Sequence, residues 1–278
     1  MKLTLFLTLT LAAAAQEPSV IETKPAAPVI QQKDLWEASG WIQPFRRMPR
    51  FVLHDQAAVW TSPIHTARRD LKWWLIFGGA TGALIATDRR TADQLPNSKT
   101  QVSISNWSSR AGSAYTLIPL SAGFYFIGTK RGDERFRETG MIAFETLIDA
   151  NIVSEALKLA AGRERPLEDD GRGRFEKAAS RWNSGFPSGH AINSWALASV
   201  IAHEYPKPLV KILAYGLAST VVISRVGARR HFPGDVVAGA GIGWFMGDYL
   251  YGKRHNRSLD RGPKIGRVLD HVSLGGFR

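Results

Sequence analysis

Apolar residues along this chain gather into long segments separated by short basic loops. Six segments have the length of helices: roughly 70–87, 112–128, 136–160, 190–204, 207–225 and 234–251. Strict apolar–polar alternation, the mark of a half-buried strand, is nearly absent. The stretches "PKPLVKILAYGLASTVVISR" and "FPGDVVAGAGIGWFMGDYL" both open on proline, which the first helical turn tolerates. The pattern predicts an all-α protein, a helical bundle of about six core helices. In the last segment Gly239, Gly243 and Gly247 recur at four-residue spacing, a stripe along which another helix packs closely. Residues 34–70 hold scattered aromatics (Trp36, Trp41, Phe45, Phe51, Trp60) without a clean period. They are expected to form a peripheral N-terminal segment of short helices or loops.

The same segments bear on membranes. Uncharged stretches run 15 residues from Trp73 to Thr87, 13 from Ile212 to Ser224 and 12 from Val236 to Gly247. Each falls short of the roughly 20 apolar residues that a bilayer span requires. Ala111 to Thr129 offers 19 uncharged residues, but Pro119 interrupts it. The expectation is a water-soluble bundle or one peripheral to a membrane. The opening "MKLTLFLTLTLAAAA" has one lysine, an apolar stretch and a small-residue end, the anatomy of a signal peptide over 1–15. It predicts export to the periplasm or cell envelope. Residues 16–33, rich in Pro, Ala and Gln, read as a flexible linker, 71–252 as the bundle and 253–278 as a basic C-terminal tail.

Composition narrows the chemistry. The chain has no cysteine, which excludes disulfides, thiolate nucleophiles and Cys-ligated metal. With 36 Lys+Arg against 24 Asp+Glu, its net charge of +12 points to anionic company. The basic residues are not evenly spread. "KLAAGRERP" places Lys158 and Arg165 two helical turns apart near the end of the third segment, and Pro166 closes it. "FPSGH" opens the fourth, and "SRVGARRHFPGD" joins the fifth to the sixth. If the third to sixth segments form one bundle, Lys158, Arg165 and Arg225 converge at one end of it. There they meet the N-terminal peptide groups near Ser188 and Gly189, whose helix dipole favours an anion. His190, His231 and Asp235 complete the set. Fixed cations, a nucleophile and an acid are what phosphoryl transfer requires. Arg163, Arg172, Arg174, Arg181, Arg229 and Arg230 are expected to ring the entrance as solvated side chains.

In order, "K-x6-RP", "PSGH" and "SR-x5-H-x3-D" resemble the three signature motifs of the type-2 phosphatidic acid phosphatase superfamily, which includes bacterial acid phosphatases and vanadium haloperoxidases. Every motif position is filled: Lys158, Arg165, Pro166, Pro187, Ser188, Gly189, His190, Ser224, Arg225, His231 and Asp235. "PSGH" alone arises by chance in about one chain per thousand of this length. The resemblance implies a metal-independent phosphatase of lipid phosphates or small phosphate esters, working through a phosphohistidine at the bundle end. His231 would attack phosphorus, Asp235 would accept the other ring N–H of His231, and His190 would protonate the leaving oxygen. Lys158, Arg165, Ser188, Gly189 and Arg225 would hold the phosphate. No cofactor is implied, although vanadate would bind as a phosphate mimic. The implied partners are a phosphorylated lipid or small molecule and a membrane surface, not nucleic acid. Vanadate-dependent halide oxidation, or a basic envelope protein on the same scaffold without activity, are the other functions such a chain admits.

Overall fold

The computed structural model describes residues 43–65, 68–167 and 171–260. The signal peptide, the flexible linker and most of the basic tail lie outside them. The described residues are helical, with no strand among them. The α-helices are α1 (Gln43–His65), α2 (Arg68–Gln94), α3 (Lys99–Ser109), α4 (Ala114–Arg131), α5 (Glu134–Ala161), α6 (Gly189–Glu204), α7 (Pro208–Gly227) and α8 (Pro233–Arg254). Local chemistry sets their ends. Ser113 caps α4 by accepting the Thr116 N–H, and Asp133 caps α5 by accepting the Phe136 N–H. Gly132 and Gly162 end the same helices with φ of 67° and 51°, a conformation costly for any residue with a Cβ.

Helix α6 is the central element, packed against α5, α7 and α8, while α4 lies along α5. Its first core face meets Ile142, Leu147, Met246 and Leu250 through Ile192, Ala196 and Val200. Its other face meets Val222, Val226 and Val236 through Ala191 and Trp195. The glycine stripe of α8 makes the α6 contact possible. A Cβ on Gly239 would lie 2.6 Å from the Ser188 carbonyl and one on Gly247 2.6 Å from that of Ala196. Backbone meets backbone there, so the stripe is a packing device.

Two elements depart from the expectation. Helix α1 is one continuous helix of 23 residues. Its Asp55 is fully buried, paired with Arg254, and Gln56 donates to Asp149 Oδ1 at 2.7 Å. Helix α3 formed from "KTQVSISNWSS", a polar stretch with no apolar period, because Ser98 caps it and α7 packs against it. The membrane expectation also shifts. At 20 residues α7 is long and apolar enough to cross a membrane by length and composition. Counting uncharged runs had cut it at Lys211, a side chain whose aliphatic stem lets its charge reach past an apolar surface. Leu209, Ile212, Leu213 and Leu217 of α7 and Trp73, Trp74, Leu75 and Ile76 of α2 are exposed.

Candidate active site

The C-terminal ends of α5 and α7 and the N-terminal ends of α6 and α8 meet at one end of the bundle. His190, His231, Lys158, Arg165 and Arg225 come together there closely enough for their charges to act on one another. Lys158 Nζ is held by Glu155 Oε1 at 2.6 Å. A Cβ built on Gly189 would approach that ammonium to 3.4 Å and Ser154 Oγ to 3.3 Å, so the first turn of α6 sits directly on the Lys158 side chain. Arg165 Nε donates to the Asn183 carbonyl at 3.0 Å.

His231 is 3% exposed, and its orientation is fixed by the backbone. Nδ1 lies 2.7 Å from the Gly185 carbonyl oxygen. A carbonyl only accepts, so Nδ1 carries the proton and the lone pair is on Nε2. This revises the role expected of Asp235, whose Oδ2 stands 3.8 Å from His231 Nδ1. Asp235 is instead occupied by other partners. Oδ2 accepts the Phe232 N–H at 2.8 Å, Oδ1 meets Arg163 Nη1, and its carbonyl accepts the Ser188 N–H at 3.0 Å. The last bond also removes the Ser188 N–H from the groups that could face an anion. What Ser188 retains is its hydroxyl.

Arg163 is the largest departure. Expected on the surface, it is 1% exposed. It lies between the rings of Phe175 and Phe232, donates from Nε to the Gly173 carbonyl at 3.0 Å, and pairs with both Asp235 and Asp88. Two buried carboxylates need a cation between them, and the flat guanidinium serves both. Asp88, on α2, was not singled out in the sequence. Its Oδ2 is 2.9 Å from Arg163 Nη2 and its Oδ1 accepts the Gly234 N–H at 2.9 Å, tying α2 to the start of α8. Of the other expected entrance arginines, Arg174 pairs with Glu164, Arg181 donates to the Leu159 carbonyl and Arg229 to that of Leu95. Arg230 is exposed.

Ser109 and Ser154 were likewise missed, since a serine in a helical stretch carries no signal of its own. Ser109 Oγ accepts from Arg225 Nη1 at 3.1 Å. Ser109→Ala is expected to leave the fold intact and raise KM for a phosphate ester about tenfold, the effect of one hydrogen bond to a charged group. Steady-state kinetics beside a melting curve checks both halves. Of the buried polar side-chain atoms that lack a hydrogen-bond partner among the described residues, three stand at this end of the bundle: Ser154 Oγ, Ser188 Oγ and Arg225 Nε. No side chain caps α6 at Ser188 either. Unmet donors beside grouped cations suit a tetrahedral oxyanion.

The electrostatics carry a pH signature. Burial first, then Arg225, His231, Lys158 and Arg165, press His190 down from 6.5 to about 3. Burial and the same arginines hold His231 well below its ordinary value. Each ring binds a proton less readily folded than unfolded, so the unfolded chain takes up more protons below pH 6.5 and stability falls with falling pH. For His190 alone the loss between pH 7 and pH 5 is about 2 kcal/mol. Melting temperatures at the two pH values are expected to show it. Saturating phosphate, whose charge restores the proton to His190, should shrink the difference, and so should His190→Gln.

Residues 139–258 match the model of a family described as the PAP2 superfamily. The chain is 31% identical over 142 residues to a lipid A 1-phosphatase of Rhizobium johnstonii, covering 47% of this chain and 57% of that one. Over 67 residues it is 42% identical to a lipid A 4'-phosphatase of Bacteroides thetaiotaomicron, covering 24% of this chain and 30% of that one. The matched stretches thus span little more than half, or less, of these relatives' own length. Among solved structures, a transmembrane PAP2 type phosphatidylglycerolphosphate phosphatase from Bacillus subtilis aligns with a TM-score of 0.45 at 20% identity, over 74% of this chain and 96% of that one.

Proposed function

With residues 139–258 matching the PAP2 superfamily, we propose that this chain belongs to that superfamily and is a metal-independent phosphatase that hydrolyses the phosphate ester of a membrane lipid through a phosphohistidine on His231. The observation that carries the reading is the fixed tautomer of His231, with Nδ1 on the Gly185 carbonyl and the Nε2 lone pair left beside three cations. Nε2 attacks phosphorus as the ester P–O bond breaks, and His190 delivers its proton to the leaving oxygen. A water then gives its proton to His190 and its oxygen to phosphorus, breaking the N–P bond and releasing phosphate. Lys158, Arg165 and Arg225, with the Ser188 hydroxyl and the first-turn N–H groups of α6, hold the equatorial oxygens. Burial and the neighbouring cations by themselves keep His190 neutral. A phosphate dianion brings the negative charge that lets the ring hold a proton, so the general acid is charged by its own substrate.

A lipid substrate is supported by the exposed apolar faces of α2 and α7, helices that also carry Asp88 and Arg225. The lipid A phosphatases among the relatives point the same way. The chain accordingly associates with a membrane of the cell envelope. The test is phosphate release in EDTA from a lipid phosphate in vesicles and from p-nitrophenyl phosphate. Release from both, with the lipid turned over at much the higher kcat/KM, is expected. Equal or better turnover of the soluble ester would overturn the lipid assignment, and no release from either would overturn the phosphatase.

A further inference from the structure

A second cluster of ionisable groups lies at the other end of the bundle. Glu138 of α5, Glu204 at the end of α6 and His255, which follows α8, bring one ligand atom each to within 4.8 Å of one another, and all three are buried. Along α5 alone, Glu138 and Lys158 stand about 30 Å apart at the helical rise. None of these residues has a role in the phosphatase reading.

Their arrangement has the form of a metal site. His255 Nδ1 faces the two glutamates, 2.8 Å from Glu138 Oε1 and 3.5 Å from Glu204 Oε1. Ligands around a tetrahedral ion at bonds near 2.0–2.1 Å stand about 3.3 Å apart, between those two distances. The other ring nitrogen, Nε2, lies 2.8 Å from Asp260 Oδ2. A carboxylate behind a histidine is the arrangement that orients a metal-bound imidazole. Glu138 Oε1 is itself positioned by the Asn256 N–H at 2.7 Å. Glu204 is the second, independent sign. It is fully buried, and neither carboxylate oxygen has a hydrogen bond of normal geometry: its neighbour His255 Nδ1 stands 3.5 Å from Oε1 and is already bonded to Glu138 Oε1 at 2.8 Å, so the Glu204 charge is only partly compensated. Arg135 reaches the Glu204 main-chain carbonyl and Asp260, not the Glu204 carboxylate. A cavity of about 440 Å³ lined by Tyr251, Gly252, His255, Arg257 and Asp260 borders the cluster on the histidine side.

The other buried carboxylate group, Asp55, Glu145 and Asp149, is built differently. Arg254 already sits against Asp55 and Glu145, so a cation of the protein's own occupies that place. We propose that Glu138, Glu204 and His255 bind a divalent first-row cation of the zinc or manganese class, oriented by Asp260, which fastens α5, α6 and the end of α8 together. Two carboxylates and one imidazole suit such ions, and calcium, which takes oxygen ligands alone, does not fit the set. The ion is structural, remote from the phosphate.

The test is calorimetric titration of the full-length protein, stripped with EDTA and dialysed, with Zn²⁺ and with Mn²⁺, beside melting curves. One saturable equivalent per chain is expected, raising Tm by about 5–10 °C at a hundredfold excess over Kd. Glu204→Gln should abolish that binding, while Asp149→Asn and His231→Ala keep it. Absence of saturable binding in the wild type overturns the proposal, leaving His255 as an ion-paired histidine only. So does binding that survives Glu204→Gln or is lost in Asp149→Asn. Should Glu204→Gln fail to fold, His255→Gln supplies the same comparison, and the wild-type titration stands by itself.

Discussion

His231→Ala is expected to lower kcat for phosphate release by at least about a thousandfold, because it removes the Nε2 to which the proposed mechanism assigns the attack on phosphorus. The rest of the site survives. Lys158, Arg165 and Arg225 belong to other elements, and the buried Gly185 carbonyl loses only its His231 partner. Vanadate or phosphate should therefore still raise the melting temperature of the variant, since the cations that bind the anion are untouched. Loss of turnover with retained binding is the outcome specific to a nucleophile. Loss of both would mean that His231 holds the site together rather than reacting, and retention of both would remove it from the mechanism. Acid-labile phosphate bound to the wild-type protein after a rapid quench, absent in the variant, would report the intermediate directly.

Arg163→Leu should produce the largest fall in stability of any single change near the site, about 3–5 kcal/mol. Its guanidinium stands between Asp88 and Asp235, which are 1% and 0% exposed and which burial has already pushed up to about 6. Without the arginine, two carboxylates face each other with no compensating charge, and both will take up protons rather than remain ionised. The deficit must then depend on pH. Carboxylates held above their unfolded values cost stability as pH rises through them, so Arg163→Leu should be nearer to wild type at pH 5.5 than at pH 8. Denaturant unfolding at both values measures it. Arg163→Lys restores the charge without the two-pronged geometry and should recover only part of the loss. A pH-independent deficit would mean that packing between Phe175 and Phe232, not charge, is what Arg163 provides.

The helices that form the core were legible because each buries an apolar stripe, and stripes survive in a linear sequence. Segments 136–160, 190–204 and 234–251 emerge as α5, α6 and α8 with ends moved by a few residues. Helix α3 was not legible, because Val102, Ile104 and Trp107 make no stripe and its stability comes from a serine cap and from α7. The grouping of the candidate site residues at one end of the bundle was legible through spacing. Lys158 and Arg165 straddle a helix end, and His231 and Asp235 straddle a helix start, so sequence distance already fixes which end of the bundle they share. Partners were not. Nothing in "AGRERP" separates Arg163, fully buried, from Arg165, two residues on and grouped with His190. That distinction depends on Asp88, 75 residues earlier in the chain, and pairing across such a distance leaves no local trace.

The acceptor that fixes His231 is a peptide carbonyl, and that has a genetic consequence. A carboxylate partner can be deleted by one codon change, whereas the oxygen of Gly185 is present whatever residue is encoded there. Point substitution can only disturb it indirectly. Evolution or a laboratory library can reorient the His231 ring chiefly by altering the path of the segment over 171–187, through insertions and deletions. Libraries varied in loop length, with side-chain identity held constant, are where variants of altered His231 reactivity should be sought.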